Sequence, residues 1–274
     1  MQPTPGFDPI LVTDEQLEDL STYTGMSHAE CRNRLDSYAT KEMAVAWHRA
    51  QPQVPEEIMD FYRATDLYIW ALMQWHASLD RKPYRDAIDR LCQRLTLEKP
   101  RRILDFGCGI GTDALILASR GYEVTLVDVA GPTFDFARHR FRRRGLNADF
   151  IESNSPVPNP PGHFDGVICF DVFEHLPDPL GAAKRLVKAL KPEGLLLQQG
   201  AFNDEGNHPC HLSEGVSRFA GMRWHINLAG CGLRSEAPLI YVKERGWRRN
   251  VQIARFALWR ATGLWTVHVS REEV

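Results

Sequence analysis

The sequence predicts an α/β protein in which helices cover a mostly parallel β-sheet. Three observations predict this class: short apolar runs alternate with helical stretches after Pro100, the first of these runs ends in a glycine-rich turn, and helix signals prevail before Pro100. Such alternation is typical of parallel strands joined by crossover helices, because each helix returns the chain to the edge where the next strand begins.

The composition excludes several classes of function. Over 274 residues, 33 Lys and Arg nearly balance 35 Asp and Glu, so no overall charge attracts nucleic acid. No apolar run approaches the ~18 residues of a membrane span, and the first ten residues do not resemble a secretion signal. The six cysteines lack paired spacing, which predicts reduced thiols and no disulfide framework. We expect a cytoplasmic protein with a small-molecule partner and neither nucleic acid nor membrane bound; a homodimer stays open.

Residues 1–96 are predicted to form a helical extension, and residues 97–274 the sheet domain. Ser27 and Glu30 have the spacing of a capping box, and Pro55 and Pro83 stand where a first helical turn would begin. An aromatic-rich set of apolar positions recurs at helical spacing after Pro55: Ile58, Phe61, Tyr68, Leu72, Trp75 and Leu79. Such a stripe packs either in a core or against a substrate pocket, and both remain open.

Residues 102–113, RILDFGCGIGTD, are predicted to form a strand, a turn with three alternate glycines and a helix start. Glycine permits a sharp turn and leaves no Cβ between the main chain and a ligand, and the helix start offers free amide donors. The nicotinamide-binding pattern would need its third glycine at Thr112, and it would not place Asp105 beside a pyrophosphate. A cationic or zwitterionic ligand fits this turn better.

The next predicted strand, YEVTLVDV, ends at Asp128 and Val129. A carboxylate at this end of the second strand can accept hydrogen bonds from both hydroxyls of a ribose. The alternative is that Asp128 caps the helix that follows. In that helix the run RHRFRRRG, residues 138–145, is interpreted as a solvated face and not as a phosphate or nucleic-acid contact.

Four blocks in order resemble the class I S-adenosylmethionine-dependent methyltransferases: ILDFGCGIGTD, VDV, FDGVICFDVFEHLPDP at 164–179 and LKPEGLLL at 190–197. The resemblance covers residues 100–200 and implies a Rossmann-like sandwich with a seven-stranded sheet. It implies that S-adenosylmethionine is the cofactor, S-adenosylhomocysteine the product, and a small molecule the acceptor, on oxygen or nitrogen. The cofactor-binding residues that it implies are Asp105, Gly107, Cys108, Gly109, Gly111, Asp128, Val129, Asn154, Phe170 and Asp171.

Catalytic candidates follow the fourth and fifth strands, whose carboxyl ends meet at one edge of the sheet. Glu174 and His175 come after the fourth strand, and His208 and His211 lie in GNHPCH after the fifth. An acceptor that carries a proton needs a base, so the three histidines are the catalytic candidates, with Glu174 contacting the substrate. A metal is not expected, although these four residues resemble the metal-binding arrangement of methyltransferases of ubiquinone biosynthesis and of small-RNA 3′ ends. A structural role for the histidines also stays open.

After the fifth strand the pattern is less regular. LAGCGLRSE, residues 228–236, is predicted to be a helix that ends before a sixth strand, APLIYV at 237–242. A basic amphipathic helix at 247–263 is then expected before a last strand, WTVHVS at 265–270. Two other functions stay open, a nicotinamide oxidoreductase and a non-catalytic protein that binds S-adenosylmethionine.

Overall fold

The computed structural model describes residues 12–36, 39–153, 161–202 and 210–262, and a seven-stranded sheet lies at its centre. The strands are β1 (Arg102–Phe106), β2 (Glu123–Asp128), β3 (Asp149–Glu152), β4 (Phe164–Phe170), β5 (Leu190–Gln199), β6 (Leu233–Ala237) and β7 (Ile240–Lys243). Their order is β3-β2-β1-β4-β5-β7-β6, in which β1 to β5 are parallel and β7 is antiparallel to both neighbours. The predicted Rossmann-like α/β class, with its mostly parallel seven-stranded sheet, is confirmed.

Helices precede the sheet and cover both of its faces. They are α1 (Asp14–Thr24), α2 (His28–Asp36), α3 (Ala39–Ala50), α4 (Pro55–Ala64), α5 (Leu67–Ala77), α6 (Lys82–Arg94), α7 (Thr112–Ser119), α8 (Pro132–Arg143), α9 (Pro179–Ala189), α10 (Ser213–Phe219), α11 (Met222–Gly230) and α12 (Gly246–Thr262). The predicted capping box before α2 is present, since Glu30 accepts a hydrogen bond from the Ser27 amide at 2.8 Å and Ser27 Oγ accepts one from the Glu30 amide at 3.3 Å.

The apolar stripe predicted from Pro55 is divided between α4 and α5. The chain leaves the helical conformation at Thr65, whose φ and ψ are −90° and 134°. Ile58 is buried in the protein, whereas Leu79 is 49% exposed. The stripe therefore does not have one role along its length.

Successive residues of β1 face opposite sides of the sheet and enter two separate cores. Ile103 packs with Ile88 and Leu91 of α6, whereas Leu104 packs with Leu186 of α9 on the other face. Because α6 lies before residue 97 yet packs on the sheet, part of the N-terminal segment belongs to the sheet core. The division of the chain at residue 96 stays a prediction.

The chain after α11 differs from the prediction. LRSEA at 233–237 is strand β6, not the end of a helix, and the predicted sixth strand APLIYV contains the turn to β7. Gly232 at φ 85° turns the chain from α11 into β6, and Leu239 at φ 64° lies in the turn between β6 and β7. The basic helix is present as α12, but it follows β7 instead of separating two strands. The predicted strand WTVHVS lies outside the described residues.

The arginine run of α8 is not a solvated face, and that prediction is wrong for Arg140, Arg143 and Arg144. Their guanidinium groups surround the buried carboxylate of Asp19 on α1, with N···O distances of 3.0, 2.7 and 2.6 Å. Arg140 also donates to the carbonyl oxygen of Ile110 at 2.6 Å, in the glycine-rich turn. Burial would raise the pKa of Asp19, but the hydrogen bond from Arg144 and the charge of Arg140 lower it overall.

None of the helices in the described part of the chain is long and apolar enough to cross a membrane.

Substitution Asp19→Ala should lower the free energy of unfolding by about 3–5 kcal/mol, because it leaves the buried Arg140 without its counterion. Urea denaturation of both proteins measures this difference. Asp14→Ala is the control, since Asp14 is an exposed residue of the same helix that pairs with Arg32 at 3.2 Å, and its effect should stay within about 0.5 kcal/mol. Equal losses in the two variants would contradict the role given to Asp19.

Candidate functional site

A cavity of about 500 Å³ opens at the carboxyl ends of β1, β2 and β4. The glycine-rich turn forms its floor, and α3, α4 and α5 cover it. Both segments of the chain therefore build the site. The side chains that the covering helices contribute are mostly apolar or aromatic: Met43, Met59, Tyr62, Tyr68, Leu72 and Trp75. Of the predicted stripe, Tyr68, Leu72 and Trp75 line this cavity, and a role in binding a substrate stays a prediction.

The turn after β1 requires glycine. Gly107, Gly109 and Gly111 have φ values of 71°, 53° and 69°, in the left-handed region. A Cβ at Gly109 would lie 2.6 Å from Leu72 Cδ1, so the backbone there is close to α5. Gly111 does not line the cavity; it begins α7 instead. The turn thereby exposes main chain to the cavity at Gly107 and Gly109.

Asp128 connects this turn to the end of β2. Phe106 and Val127 are partners in the parallel register of β1 and β2, so the turn starts beside Asp128. One carboxylate oxygen of Asp128 accepts a hydrogen bond from the Gly109 amide at 2.6 Å, and the other accepts one from the Val129 amide at 2.7 Å. The interpretation of Asp128 as a helix cap is wrong, because α8 begins at Pro132 after Gly131. Burial raises the pKa of Asp128, and the two amides oppose that rise.

A buried donor and a buried acceptor at this site lack partners among the described residues. They are Nη1 of Arg81 and Oδ2 of Asp105. The other terminal nitrogen of Arg81 donates to Asp113 at 2.6 Å. Burial raises the pKa of Asp105 well above its usual range, and the charges of Asp113 and Asp128 add to the rise. Because unsatisfied buried polar groups are costly, this pair fits a ligand that carries both an ammonium and a carboxylate group.

Sequence reasoning missed Arg81. It lies in a short 3-10 turn, Leu79–Arg81, between α5 and α6, far along the chain from the glycine motif. Its guanidinium lies 4.2 Å from the centroid of the Tyr84 ring, which orients it toward the cavity. Nothing in the spacing of the sequence distinguishes this arginine from its neighbours, so the fold alone identifies it.

The end of β4 contributes Phe170 and Asp171. Asp171 has a positive φ of 54°, which is strained for a residue with a side chain. The Tyr84 hydroxyl donates to its carboxylate at 2.9 Å, and the Tyr84 and Phe170 rings are 4.9 Å apart. Burial and the nearby charge of Glu174 raise the pKa of Asp171 to about 6. The strain is located where the cavity meets the sheet, as is common at functional sites.

Glu174 lies in a 3-10 turn, Phe173–His175, and not at the start of α9, whose first turn is capped by Asp178. One carboxylate oxygen accepts a hydrogen bond from the Ala201 amide at 2.9 Å. The other is buried, and the described residues offer it no hydrogen bond. Burial raises the pKa of Glu174 to about 7.

His175 and His211 are brought together with Glu174, as predicted for the edge of the sheet. His175 Nδ1 lies 3.0 Å from the carbonyl oxygen of Cys210, and the two imidazole rings are 4.9 Å apart. A carbonyl only accepts, so a neutral His175 that bonds to Cys210 carries its hydrogen on Nδ1, and Nε2 is then its basic nitrogen. The Tyr62 hydroxyl, 3.3 Å from the same Nδ1, can then only accept from it. The ligand atoms of Glu174, His175 and His211 lie within 4.8 Å of one another, a separation that suits a metal ion.

The cavity gathers nearly all of the predicted site residues that the structure describes. Asn154 and His208 lie outside the described residues, so their roles stay predictions. The predicted residues that line the cavity are Asp105, Gly107, Cys108, Gly109, Asp128, Val129, Phe170, Asp171, Glu174, His175 and His211.

Comparison with known proteins finds similarity in the part of the chain that contains strands β1 to β5. A family model described as a methyltransferase domain matches residues 76–225, which is more than half of the chain. A ubiquinone biosynthesis O-methyltransferase of Idiomarina loihiensis is 38% identical over 96 residues, which are 34% of this chain and 40% of that protein. The enzyme of the same name from Xanthomonas campestris is 30% identical over 151 residues, 52% of this chain and 63% of that protein.

The chain thus spans between 40% and 63% of the length of these two relatives. Among solved structures, a SAM-dependent methyltransferase from Aquifex aeolicus is 20% identical and aligns with a TM-score of 0.42. That alignment covers 57% of this chain and 87% of the other.

We expect the free energy of unfolding of the wild type to fall as pH rises, because Glu174 loses its proton. Substitution Glu174→Gln should abolish this dependence on pH. The folded pKa of about 7 exceeds the ordinary 4.5, so the folded state binds the proton more tightly and stability falls as pH rises from 4.5 through 7. The shift corresponds to about 3 kcal/mol. Urea unfolding between pH 4.5 and 8 should show the variant gaining this amount relative to wild type, whereas the exposed Glu214→Gln should follow the wild-type curve. Parallel curves for Glu174→Gln and wild type would refute the raised pKa.

Proposed function

This chain belongs to the methyltransferase domain family, and we propose that it transfers the methyl group of S-adenosylmethionine to a hydroxyl oxygen of a small molecule. The observation that carries the proposal is the pair of Arg81 Nη1 and Asp105 Oδ2 beside the glycine-rich turn, two buried atoms without a hydrogen-bond partner in the described part of the chain. This pair matches the carboxylate and ammonium groups at the methionine end of that cofactor. The names of the ubiquinone biosynthesis relatives support oxygen as the acceptor atom.

The residues of the turn fit the cofactor in kind and in place. Arg81 would bind its carboxylate and Asp105 its ammonium group, while Asp128 would accept hydrogen bonds from the ribose. Gly107 and Gly109 leave room for close approach of the main chain, and Phe170 and Asp171 would lie beside the sulfonium. When bound, S-adenosylmethionine supplies an electrophilic methyl group whose transfer depends mainly on alignment with the acceptor.

The acceptor would occupy the part of the cavity covered by α4 and α5. Tyr62, Tyr68 and Trp75 present aromatic surface there, and these rings suit a flat, largely apolar molecule. Burial raises the pKa of the Tyr68 hydroxyl well above its usual range, so this group stays neutral, and it is hydrogen-bonded to Tyr62 and Cys210. These features support an aromatic acceptor with a hydroxyl group.

His175 is the base that we propose for removing the hydroxyl proton. The carbonyl of Cys210 fixes its tautomer, and Nε2 would take the proton as the oxygen attacks. Glu174 would hold the acceptor or the protonated base through its oxygen that lacks a hydrogen bond in the described structure. His211 lies beside the His175 ring and would adjust its orientation. His208, three positions before His211 in the sequence, stays a proposed catalytic residue.

A metal at Glu174, His175 and His211 is the alternative for the same three side chains. One carboxylate and two imidazoles form a donor set that a divalent transition metal accepts, and the buried oxygen of Glu174 suits this role. Such an ion would lower the pKa of a bound hydroxyl and replace the base. If His175 is the base, a chelator should leave turnover unchanged. If the three side chains bind a metal, a chelator should abolish turnover.

Isothermal titration with S-adenosylhomocysteine tests the cofactor. Wild type should bind it and should not bind NADH, and Asp128→Asn should weaken binding about 10- to 100-fold because charged hydrogen bonds to the ribose are lost. Asp135→Asn, which alters an exposed carboxylate on α8, should bind as wild type does. Binding of NADH, with none of S-adenosylhomocysteine, would replace this proposal with an oxidoreductase. Cofactor binding with no turnover on any hydroxylated aromatic acceptor would favour a non-catalytic protein.

Substitution His175→Gln should lower kcat about 10²- to 10⁴-fold while the KM for S-adenosylmethionine stays unchanged, because the base contacts the acceptor and not the cofactor. A labelled methyl donor and a panel of phenolic acceptors provide the assay, run with and without chelator. If the chelator abolishes turnover and a divalent metal restores it, the three side chains bind a metal and His175 is not the base.

A further inference from the structure

The outward surface of α12 is an apolar stripe. At about 100° per residue, positions 247, 251, 254, 258 and 261 fall on one face of the helix. Three of them carry large apolar side chains, and Trp247, Val251 and Leu258 are 71%, 39% and 61% exposed. No residue of α12 is buried. Contiguous exposed apolar surface of this kind marks an interaction site.

The opposite face of α12 fixes how the helix is turned. A Cβ at Gly230 would lie 2.6 Å from the ring of Phe256, and one at Gly232 would lie 2.9 Å from the side chain of Arg249. Phe256 and Arg249 therefore rest on the end of α11 and the loop that follows it, which lack side chains at these points. Phe256 lies nearly half a turn from Trp247 around the helix, so the apolar stripe must face away from the protein.

The charge of α12 indicates what covers the stripe. The helix contains four arginines, at 248, 249, 255 and 260, and no acidic residue, whereas the whole chain has a net charge of −2. Arg248 and Arg255 follow one edge of the stripe, about two helical turns apart. A second copy of this helix would bring arginines against arginines without acidic partners, which is unfavourable. An anionic surface satisfies both the apolar and the basic residues.

We propose that α12 docks the protein on the surface of a membrane that contains anionic lipid, with the helix lying in the plane of that surface. Trp247, Val251 and Leu258 would enter the interface between head groups and acyl chains, and Arg248 and Arg255 would contact the lipid phosphates. A tryptophan ring at the helix start suits this interfacial layer. The attachment is peripheral, and it revises the expectation from composition that no membrane is bound.

Co-sedimentation of the full chain with vesicles tests the proposal without any assay of methyl transfer, so it succeeds or fails independently of the proposed function. Vesicles of pure phosphatidylcholine are compared with vesicles in which about a third of the lipid is phosphatidylglycerol. The protein should bind the anionic vesicles and not the neutral ones. Raising the salt concentration should weaken the binding, because it screens the arginines.

Two pairs of variants locate the contact. Trp247→Ala with Leu258→Ala should weaken partitioning about tenfold or more, and Arg248→Gln with Arg255→Gln about 30-fold. Their controls remove equivalent exposed groups elsewhere, Val54→Ala with Leu97→Ala and Arg90→Gln with Lys99→Gln, and should bind within about twofold of wild type. Thermal unfolding verifies that all of these surface variants fold.

Several outcomes would overturn the proposal. Equal affinity for both vesicles, no affinity for either, or α12 variants that bind as their controls do would each reject it. A dimer that dissociates in the Leu258→Ala variant, without vesicle binding by wild type, would make a second copy the occupant. Vesicle binding that appears only after removal of residues 263–274 would make that segment the occupant.

Discussion

The guanidinium of Arg140 is the link on which the site depends. It donates to Asp19 on α1 and to the carbonyl of Ile110 in the glycine-rich turn, so one side chain joins α1 to the floor of the cavity. Both partners are buried, and a buried charge is tolerated only when its hydrogen bonds are satisfied. Leu17 and Leu20 of α1 share a hydrophobic cluster with Met73 of α5, one of the helices that cover the cavity. The same part of the turn is packed closely under α5, since a Cβ at Gly109 would lie 2.6 Å from Leu72 Cδ1.

Below that cover the site holds more carboxyl groups than cations. Asp105, Asp128, Asp171 and Glu174 all have raised pKa values because burial disfavours their charged forms. Only Arg81 opposes them among the described side chains that line the cavity as permanent cations. A ligand that carries a sulfonium and an ammonium group would compensate this excess, and such compensation is a source of affinity that does not require a large contact area.

The arginines of two helices, α8 and α12, have different surroundings. Arg140, Arg143 and Arg144, at the carboxyl end of α8, are neutralised by the buried Asp19, whereas the arginines of α12 lie around an exposed apolar stripe. Both helices are rich in arginine, yet arginines of one form buried ion pairs and those of the other are exposed to solvent. Neighbouring elements decide this difference: α1 covers α8, and the described residues leave the stripe of α12 exposed.

Several features were determined by the sequence itself, because they depend on contacts within a few residues. Local sterics and hydrogen bonding determine the turn at Gly107 to Gly111, the strand that ends at Asp128 and the capping box of Ser27. The consecutive Glu174 and His175 likewise come shortly after β4. Together with the resemblance to the class I methyltransferases, these features predicted the Rossmann-like class and most of the residues that line the cavity.

Other features were decided only by the tertiary structure. Arg81 reaches Asp113 from 32 positions away and Arg140 reaches Asp19 from 121 positions away, and no spacing rule predicts such contacts. The hairpin of β6 and β7 was missed because short strands at a sheet edge have weak patterns of their own and are stabilised by pairing with β5. Local chemistry specified the turn that lines the cavity, whereas long-range packing specified what covers it and which charges remain there.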